Sequence, residues 1–189
     1  RIRRRRVLLL LLLVRRQDLA GGTAAPMAAG HRIRRADAVD FTEQDWDEVM
    51  DLNLKSAFFL AQAAGRHFIA QGRGKIINVA SMLSFQGGIR VPSYTASKSG
   101  MAGITRLLAN EWAGKGVNVN AIAPGYMATD NTAQLRADAQ RNTAILERIP
   151  AGRWGTPEDL GGTAVFLASR ASDYVNGAVI PVDGGWLAR

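Results

Sequence analysis

The chain of 189 residues contains no cysteine and only two histidines, His31 and His67. Without cysteine, disulfide bonds and thiolate metal sites are excluded. Two histidines are too few for a convincing zinc site unless carboxylates contribute, so we expect no metal site. The lack of cysteine does not fix the compartment, although a reducing cytoplasm is compatible with it.

Acidic residues are scarce at the start of the chain. The net charge is +8, but residues 1–36 hold ten arginines and a single acidic residue, Asp18. Residues 37–189 hold 14 basic and 15 acidic residues, so this larger part has a net charge of −1. Because a nucleic-acid-binding protein spreads its basic side chains over a folded face, we expect no nucleic-acid partner.

The first 36 residues do not look like part of an ordinary domain. The sequence begins with Arg1, and the apolar run at residues 7–14 lies between arginines. A run of this length cannot cross a bilayer as a helix, and arginines directly after it do not suit a signal-peptide cleavage region. We therefore interpret residues 1–36 as an aberrant segment, a fragment end or a frameshifted stretch, and expect no membrane partner. The alternatives are a signal peptide and a basic module that binds membranes or nucleic acid.

From residue 37 onward, helical patterns and short apolar strands alternate. The first helical pattern runs from residue 43 to about residue 71, which is long for one globular helix, so we expect a kink near Asn53. Strands are predicted at residues 75–80, 117–121 and 178–182, and further helices at residues 94–112 and after the cap residue Thr156. This alternation predicts one α/β domain with a parallel sheet and helices on both faces.

Tyr94 and Lys98 form the first candidate for chemistry. They are four residues apart in a predicted helix, so their side chains lie on one face. A tyrosine that acts as an acid or base must overcome a pKa of about 10, and a nearby ammonium group stabilises its phenolate. Taken alone, the pair is equally well explained as a surface tyrosine and a solvated lysine.

Two polar residues elsewhere in the sequence strengthen this candidate. Ser81 directly follows a predicted strand, at the edge where an open parallel sheet binds its ligand, although a turn residue would look the same. Its hydroxyl could donate to a reacting carbonyl or alkoxide oxygen opposite Tyr94. Asn53 is an unusual choice inside an apolar helix. Either it lies on the exposed face, or its amide holds a water next to Lys98.

The order and spacing of these residues resemble the short-chain dehydrogenase/reductase family. The resemblance extends from about residue 34 to residue 189 and includes the segments at residues 76–81, 94–100, 117–125 and 182–185. It implies a Rossmann-type, doubly wound parallel sheet. It also implies an oxidoreductase that uses NAD, with NADP not excluded, to interconvert a keto group and a secondary alcohol. By this resemblance Tyr94 is the acid/base, Lys98 lowers its pKa and binds the nicotinamide ribose, Ser81 orients the reacting oxygen, and Asn53 supports the proton relay.

The resemblance also implies a cofactor site, which the sequence only partly provides. Pro124 and Gly125 would form the wall beside the nicotinamide, and Thr129 would bind its carboxamide. The glycine-rich turn that binds the pyrophosphate in this family, G-x-x-x-G-x-G, does not occur before residue 36. We therefore expect an incomplete sheet, the C-terminal two-thirds of such an enzyme, with residues 37–189 as its catalytic part. The alternative to an active enzyme is a catalytically inactive truncated fragment.

A closer resemblance is carried by residues 81–94, 148–155 and 184–189. These segments are similar to the bacterial 2-dehydro-3-deoxy-D-gluconate 5-dehydrogenases, also called 2-deoxy-D-gluconate 3-dehydrogenases. The similarity implies a cytoplasmic, homo-oligomeric enzyme of hexuronate (pectin) catabolism with a small acidic sugar as substrate. Arg90 and Arg153 lie in these segments and are candidates for binding the substrate carboxylate. A solvated loop for Arg90 and a helix-end contact for Arg153 are equally open.

Overall fold

The computed structural model describes residues 10–11 and 37–189. Its parallel strands lie side by side in the order β1-β2-β3-β4. Their bounds are Leu10–Leu11 for β1, Gly74–Val79 for β2, Val117–Pro124 for β3 and Val179–Val182 for β4. The parallel pairing confirms the predicted α/β class and is consistent with an incomplete Rossmann-type sheet. Apart from residues 10–11, the segment interpreted as aberrant lies outside the described residues, so the domain boundary at residue 36 stays a prediction.

The helices follow the predicted order. They are α1 (Glu43–Met50), α2 (Ser56–Gln71), α3 (Pro92–Trp112), α4 (Ala133–Ala137), α5 (Ala139–Arg148) and α6 (Pro157–Ala168). Between α1 and α2, residues Asp51–Lys55 form a π-helical turn. This turn is the irregularity predicted near Asn53, although the chain widens the helix there instead of kinking it.

The helix ends show why these segments become helical. The Thr42 side chain accepts a hydrogen bond of 3.2 Å from the backbone N–H of Asp45 and so caps α1. At α6, Thr156 and Asp159 form a capping box and Pro157 occupies the first turn, as the sequence predicted. Each such cap contributes about 1 kcal/mol by giving a partner to an N–H group that the helix leaves free.

Consecutive residues of β2 point to opposite faces of the sheet and anchor the two halves of the core. Ile76 packs with Phe68 of α2 and Leu108 of α3. Ile77 packs against the other face, with Leu167 of α6. Each of these side chains is almost fully buried, which contributes about 2 kcal/mol apiece. Helices therefore cover both faces of the sheet, as the alternating pattern predicted.

Two negative findings apply to the part of the chain that the structure describes. No helix there is long and apolar enough to cross a membrane. No group of three or more histidine, aspartate or glutamate side chains in residues 37–189 is arranged to hold a metal ion.

Candidate active site

The candidate site lies at the carboxyl edge of the sheet. Strand β2 ends at Val79 and β3 ends at Pro124, and these strands are paired in parallel, so the segments after them emerge at the same edge. An open α/β sheet binds its ligands at this edge. Ser81 and Gly125 follow the two strands directly, and α3 brings Tyr94 and Lys98 to the same region.

Ser81 and Tyr94, thirteen residues apart in sequence, meet in the structure. The backbone of Ser81 is extended, and its Oγ accepts a hydrogen bond of 3.2 Å from the N–H of Leu83 at the start of a short 3₁₀ turn. The Ser81 side chain also lies near the Tyr94 phenol, where its interaction with that phenol lowers the pKa of Tyr94 in part. The Ser81 side chain and the Tyr94 phenol are therefore neighbours in the structure, whereas their joint action on a reacting oxygen stays a prediction.

Ser84 fixes this arrangement, and the sequence analysis did not single it out. Its Oγ accepts from the N–H of Ser81 at 3.3 Å and donates to the backbone carbonyl of Lys98 at 2.6 Å. The turn that carries Ser81 is thereby tied to the helix that carries Lys98. A serine three residues after another serine is the pattern of a capping box, which is the signal that the sequence offered.

Lys98 lies under Tyr94 and is held by the end of β2. Its Nζ donates to the carbonyl oxygen of Val79 at 2.8 Å and lies 5.6 Å from the centroid of the Tyr94 ring. Burial lowers the pKa of Lys98 from 10.5 to about 8, because a buried ammonium loses its hydration. Near pH 8 a substantial fraction of the Lys98 side chains therefore carries no charge, whereas a solvated lysine remains protonated.

Burial also raises the pKa of the Tyr94 phenol, and the interaction with Ser81 opposes this shift in part. This differs from the expectation that the ammonium of Lys98 lowers the pKa of Tyr94. The physical reason is that loss of hydration on burial outweighs the hydrogen bond from Ser81. Since its pKa is raised above 10.0, Tyr94 is a neutral phenol at physiological pH and can donate a proton.

Asn53 faces α3 instead of lying on an outer face. Its Nδ2 donates to the Oγ of Ser97 at 3.3 Å, and that Oγ donates to the backbone carbonyl of Tyr94 at 2.8 Å. Ser97 lies between Tyr94 and Lys98 in the sequence of α3 and is fully buried. Its role was not predicted from the sequence. The solvated alternative for Asn53 is therefore wrong, whereas its support of a proton relay stays a prediction.

Gly125 is required by a close approach to the last strand. Its N–H donates to the carbonyl of Val182 at 2.9 Å, and a Cβ on this residue would lie 2.5 Å from the Cα of Asp183. Pro124 precedes it at the end of β3. Thr129 lies four residues further on, where its backbone N–H donates to the Oγ1 of Thr132 at 3.1 Å. The structure brings Pro124 and Gly125 to the edge that carries Ser81.

The two arginines proposed for the substrate carboxylate each have a carboxylate partner in the chain. Arg90 adopts a positive φ of 60°, and its Nε lies 2.7 Å from the Oδ1 of Asp37. Arg153 makes two hydrogen bonds of 2.8 Å to Asp159, which caps α6. The Arg153 guanidinium holds the pKa of Asp159 well below its usual range. For Arg153 the structure shows the helix-end contact.

The comparisons with known proteins agree with this geometry. A family model described as enoyl-(acyl carrier protein) reductase matches residues 23–187, which is most of the chain. The chain therefore belongs to the short-chain dehydrogenase/reductase family, as its motifs predicted. The match begins at residue 23, earlier than the resemblance traced from the sequence alone.

Individual relatives are more specific. The chain is 75% identical over 158 residues to the 2-dehydro-3-deoxy-D-gluconate 5-dehydrogenase of Escherichia coli K12, and the alignment covers 83% of this chain and 62% of that protein. It is 63% identical over 157 residues to the enzyme of the same name from Bacillus subtilis 168, with the same coverage of both chains. The chain thus spans about 62% of the length of these relatives.

Solved structures show the same similarity. A protein from Agrobacterium tumefaciens assigned as a 2-deoxy-D-gluconate 3-dehydrogenase, solved with bound NADP, has 69% identity and a TM-score of 0.81. The comparison covers 82% of this chain and 64% of that one. The gluconate 5-dehydrogenase of Burkholderia cenocepacia, solved with NADP and tartrate, has 42% identity and a TM-score of 0.80, covering 82% and 61%. These likenesses support the predicted resemblance to dehydrogenases of sugar acids.

Proposed function

We propose that this protein is an NAD(P)-dependent oxidoreductase that interconverts a keto group and a secondary alcohol on a sugar acid of the 2-dehydro-3-deoxy-D-gluconate type. The observation that carries the proposal is that Ser81, Tyr94 and the half-buried Lys98 gather at the carboxyl edge of the sheet, with the Lys98 Nζ 5.6 Å from the centroid of the Tyr94 ring. The high identity to sugar-acid dehydrogenases supports the substrate class.

The proposed chemistry divides among four residues. In the reducing direction Tyr94 donates its phenolic proton to the carbonyl oxygen of the substrate, and in the oxidising direction it takes that proton back. Ser81 donates a second hydrogen bond to the same oxygen and stabilises its developing charge. Lys98, when protonated, stabilises the Tyr94 phenolate. Asn53 supports the helix that carries Tyr94 through Ser97 and, as we propose, helps to pass the proton onward.

The buried part of the site fits the nicotinamide half of the cofactor. The ammonium of Lys98 has three N–H donors, and its hydrogen bond to Val79 uses one of them, so others suit ribose hydroxyls. Pro124 and Gly125 would line the nicotinamide and Thr129 would meet its carboxamide. When bound, the cofactor supplies or accepts the hydride. NAD and NADP both remain within the proposal, and the solved relatives named above hold NADP.

The finer parts of the proposal concern assembly and compartment. We expect a cytoplasmic homo-oligomer that acts in the breakdown of hexuronates. Exposed apolar side chains support assembly. Phe59 of α2 is 55% exposed and Leu107 of α3 is 48% exposed, and burying such large hydrophobic residues in a subunit interface would be favourable. Light scattering on the purified protein would test this, and a monomer at micromolar concentration would contradict it.

Turnover with a defined substrate tests the central proposal. We expect oxidation of NADH or NADPH by the purified protein with the keto sugar acid, and a strongly reduced rate with the Tyr94→Phe variant. The sequence contains no G-x-x-x-G-x-G turn for the pyrophosphate, so we expect weak cofactor binding and the assay needs millimolar cofactor. A fluorescence titration with NADH should accompany the assay. If the purified protein shows neither cofactor binding nor turnover, the alternative of an inactive chain is favoured.

A further inference from the structure

A third arginine near the site has no carboxylate partner in the described part of the chain. Arg148 is the last residue of α5, and its guanidinium lies 4.0 Å from the ring centroid of Trp186. It is exposed to solvent. In contrast, Arg90 and Arg153 are already paired with Asp37 and Asp159. Of Arg90, Arg148 and Arg153, only Arg148 therefore offers the carboxylate of a ligand a guanidinium that is not already paired with a carboxylate of the described chain.

Trp186 connects Arg148 to the candidate active site. It is 5% exposed and packs against Met82, the residue after Ser81. Its ring also meets the ring of Tyr126, the residue after Gly125, with the centroids 4.8 Å apart. The indole ring thus lies beside the segments that follow β2 and β3, at the edge where the reacting groups are expected.

The turn that carries Trp186 is fixed by its own hydrogen bonds. The carboxylate of Asp183 accepts from the backbone N–H of Gly185 at 2.9 Å and of Leu187 at 3.0 Å. Gly184 and Gly185 both have positive φ, of 65° and 90°, which glycine adopts without strain. Because the turn is held on both sides of Trp186, the indole ring is a firm platform for the guanidinium.

The indole nitrogen of Trp186 is a second, independent indication of a ligand. Its N–H is buried and has no acceptor among the described residues. A buried donor without a partner costs about 1–3 kcal/mol. An oxygen of an acidic ligand that reached this N–H would supply the missing acceptor.

We propose that Arg148, held against Trp186, binds the carboxylate of the substrate, and that Trp186 positions the guanidinium and forms the adjoining wall of the substrate pocket. The inference rests on the proposed function, because it requires an acidic substrate. It replaces Arg90 and Arg153 as the carboxylate partner for a physical reason: binding to either would break an ion pair that the chain already makes.

Binding of D-gluconate without cofactor provides a test that does not depend on turnover. The four tryptophans give separate indole N–H resonances in a ¹⁵N-labelled sample, and Trp186→Phe identifies the one from Trp186. We expect D-gluconate to shift this resonance saturably and neutral D-glucitol to leave it in place. Arg148→Met should raise the dissociation constant about tenfold or more, since a charge-assisted bidentate contact is lost. Arg148→Lys should recover part of the affinity.

The matched controls are Arg141→Met, an exposed arginine on the same helix, and Arg153→Met. Both should bind D-gluconate as the parent chain does. If Arg148→Met binds equally well, or if Arg153→Met is the variant that loses affinity, our inference is overturned while the proposed function stands. If the parent chain binds D-gluconate no better than D-glucitol, the acidic substrate and this inference fall together.

Discussion

Asn53 and Ser97, forty-four residues apart, share a hydrogen bond of 3.3 Å that joins the π-helical turn to α3. The π turn at Asp51–Lys55 accommodates an extra residue and places the Asn53 amide toward α3. Ser97 passes the contact on to the backbone of Tyr94. An irregular helix thereby supports the residue to which we assign the proton transfer.

We expect Asn53→Ala to lower kcat by about tenfold or more while KM for the sugar acid changes little, because a positioning and relay role affects the chemical step. The measurement is steady-state kinetics together with the pH profile of kcat. Gln62→Ala is the control, since its amide bonds only to Arg66 on the surface of α2. If both variants lose activity only in proportion to their folded fraction, Asn53 has a structural role alone.

Tyr94→Phe should reduce turnover by a factor of about 10²–10⁴, the usual contribution of a general acid or base. The ring remains, so the packing against Lys98 is kept and the variant should fold. Because burial raises the pKa of the Tyr94 phenol, we also expect the parent protein to favour reduction near neutral pH and oxidation at higher pH. Tyr174→Phe, at a fully exposed tyrosine, is the control. A Tyr94→Phe variant that keeps most of its activity would remove Tyr94 from the mechanism.

Local pattern predicted more of the fold than of the site. The alternation of apolar strands and capped helices predicted α1 to α3, α6 and the strands β2 to β4, because strand burial and helix caps depend on nearby residues. Ser84 and Ser97 were missed, since a buried serine has value only through a partner on another element. Burial raises the pKa of Tyr94 in this chain, and no local pattern predicts burial because it is a property of the whole fold. The contact of Arg148 with Trp186 joins two segments whose meeting no local pattern specifies.

Gly125→Ala should destabilise the protein by about 1–3 kcal/mol, because the new methyl group would overlap the backbone of Asp183 at the end of β4. Urea unfolding followed by circular dichroism measures this change. Gly103→Ala is the control: nothing lies within 4 Å of a Cβ at that exposed helical position. There alanine should stabilise the chain by up to about 1 kcal/mol, since it suits a helix better than glycine. If the two substitutions had equal effects, the close approach of Asp183 to Gly125 would not restrict the side chain at this position.

Lys98 should give the stability of the protein a defined dependence on pH. Its pKa is about 8 in the folded chain and returns to 10.5 when the chain unfolds. Between these two values the unfolded chain binds more protons than the folded chain, so the free energy of unfolding must increase as the pH rises. Below pH 8 both states hold the proton and this dependence disappears. The expected slope is about 1.4 kcal/mol per pH unit above pH 8.

Urea unfolding at closely spaced pH values from about 7 to 9.5 measures this slope, and that range stays below the titration of Tyr94, whose folded pKa is raised above 10.0. Lys98→Met should abolish the slope, whatever stability is lost with the hydrogen bond to Val79, because only the slope reports the titration. Lys115→Met, at an exposed lysine beyond α3, should keep it. If Lys98→Met and the parent protein show the same slope, Lys98 is not the buried ammonium, and its assigned action on Tyr94 loses its physical basis.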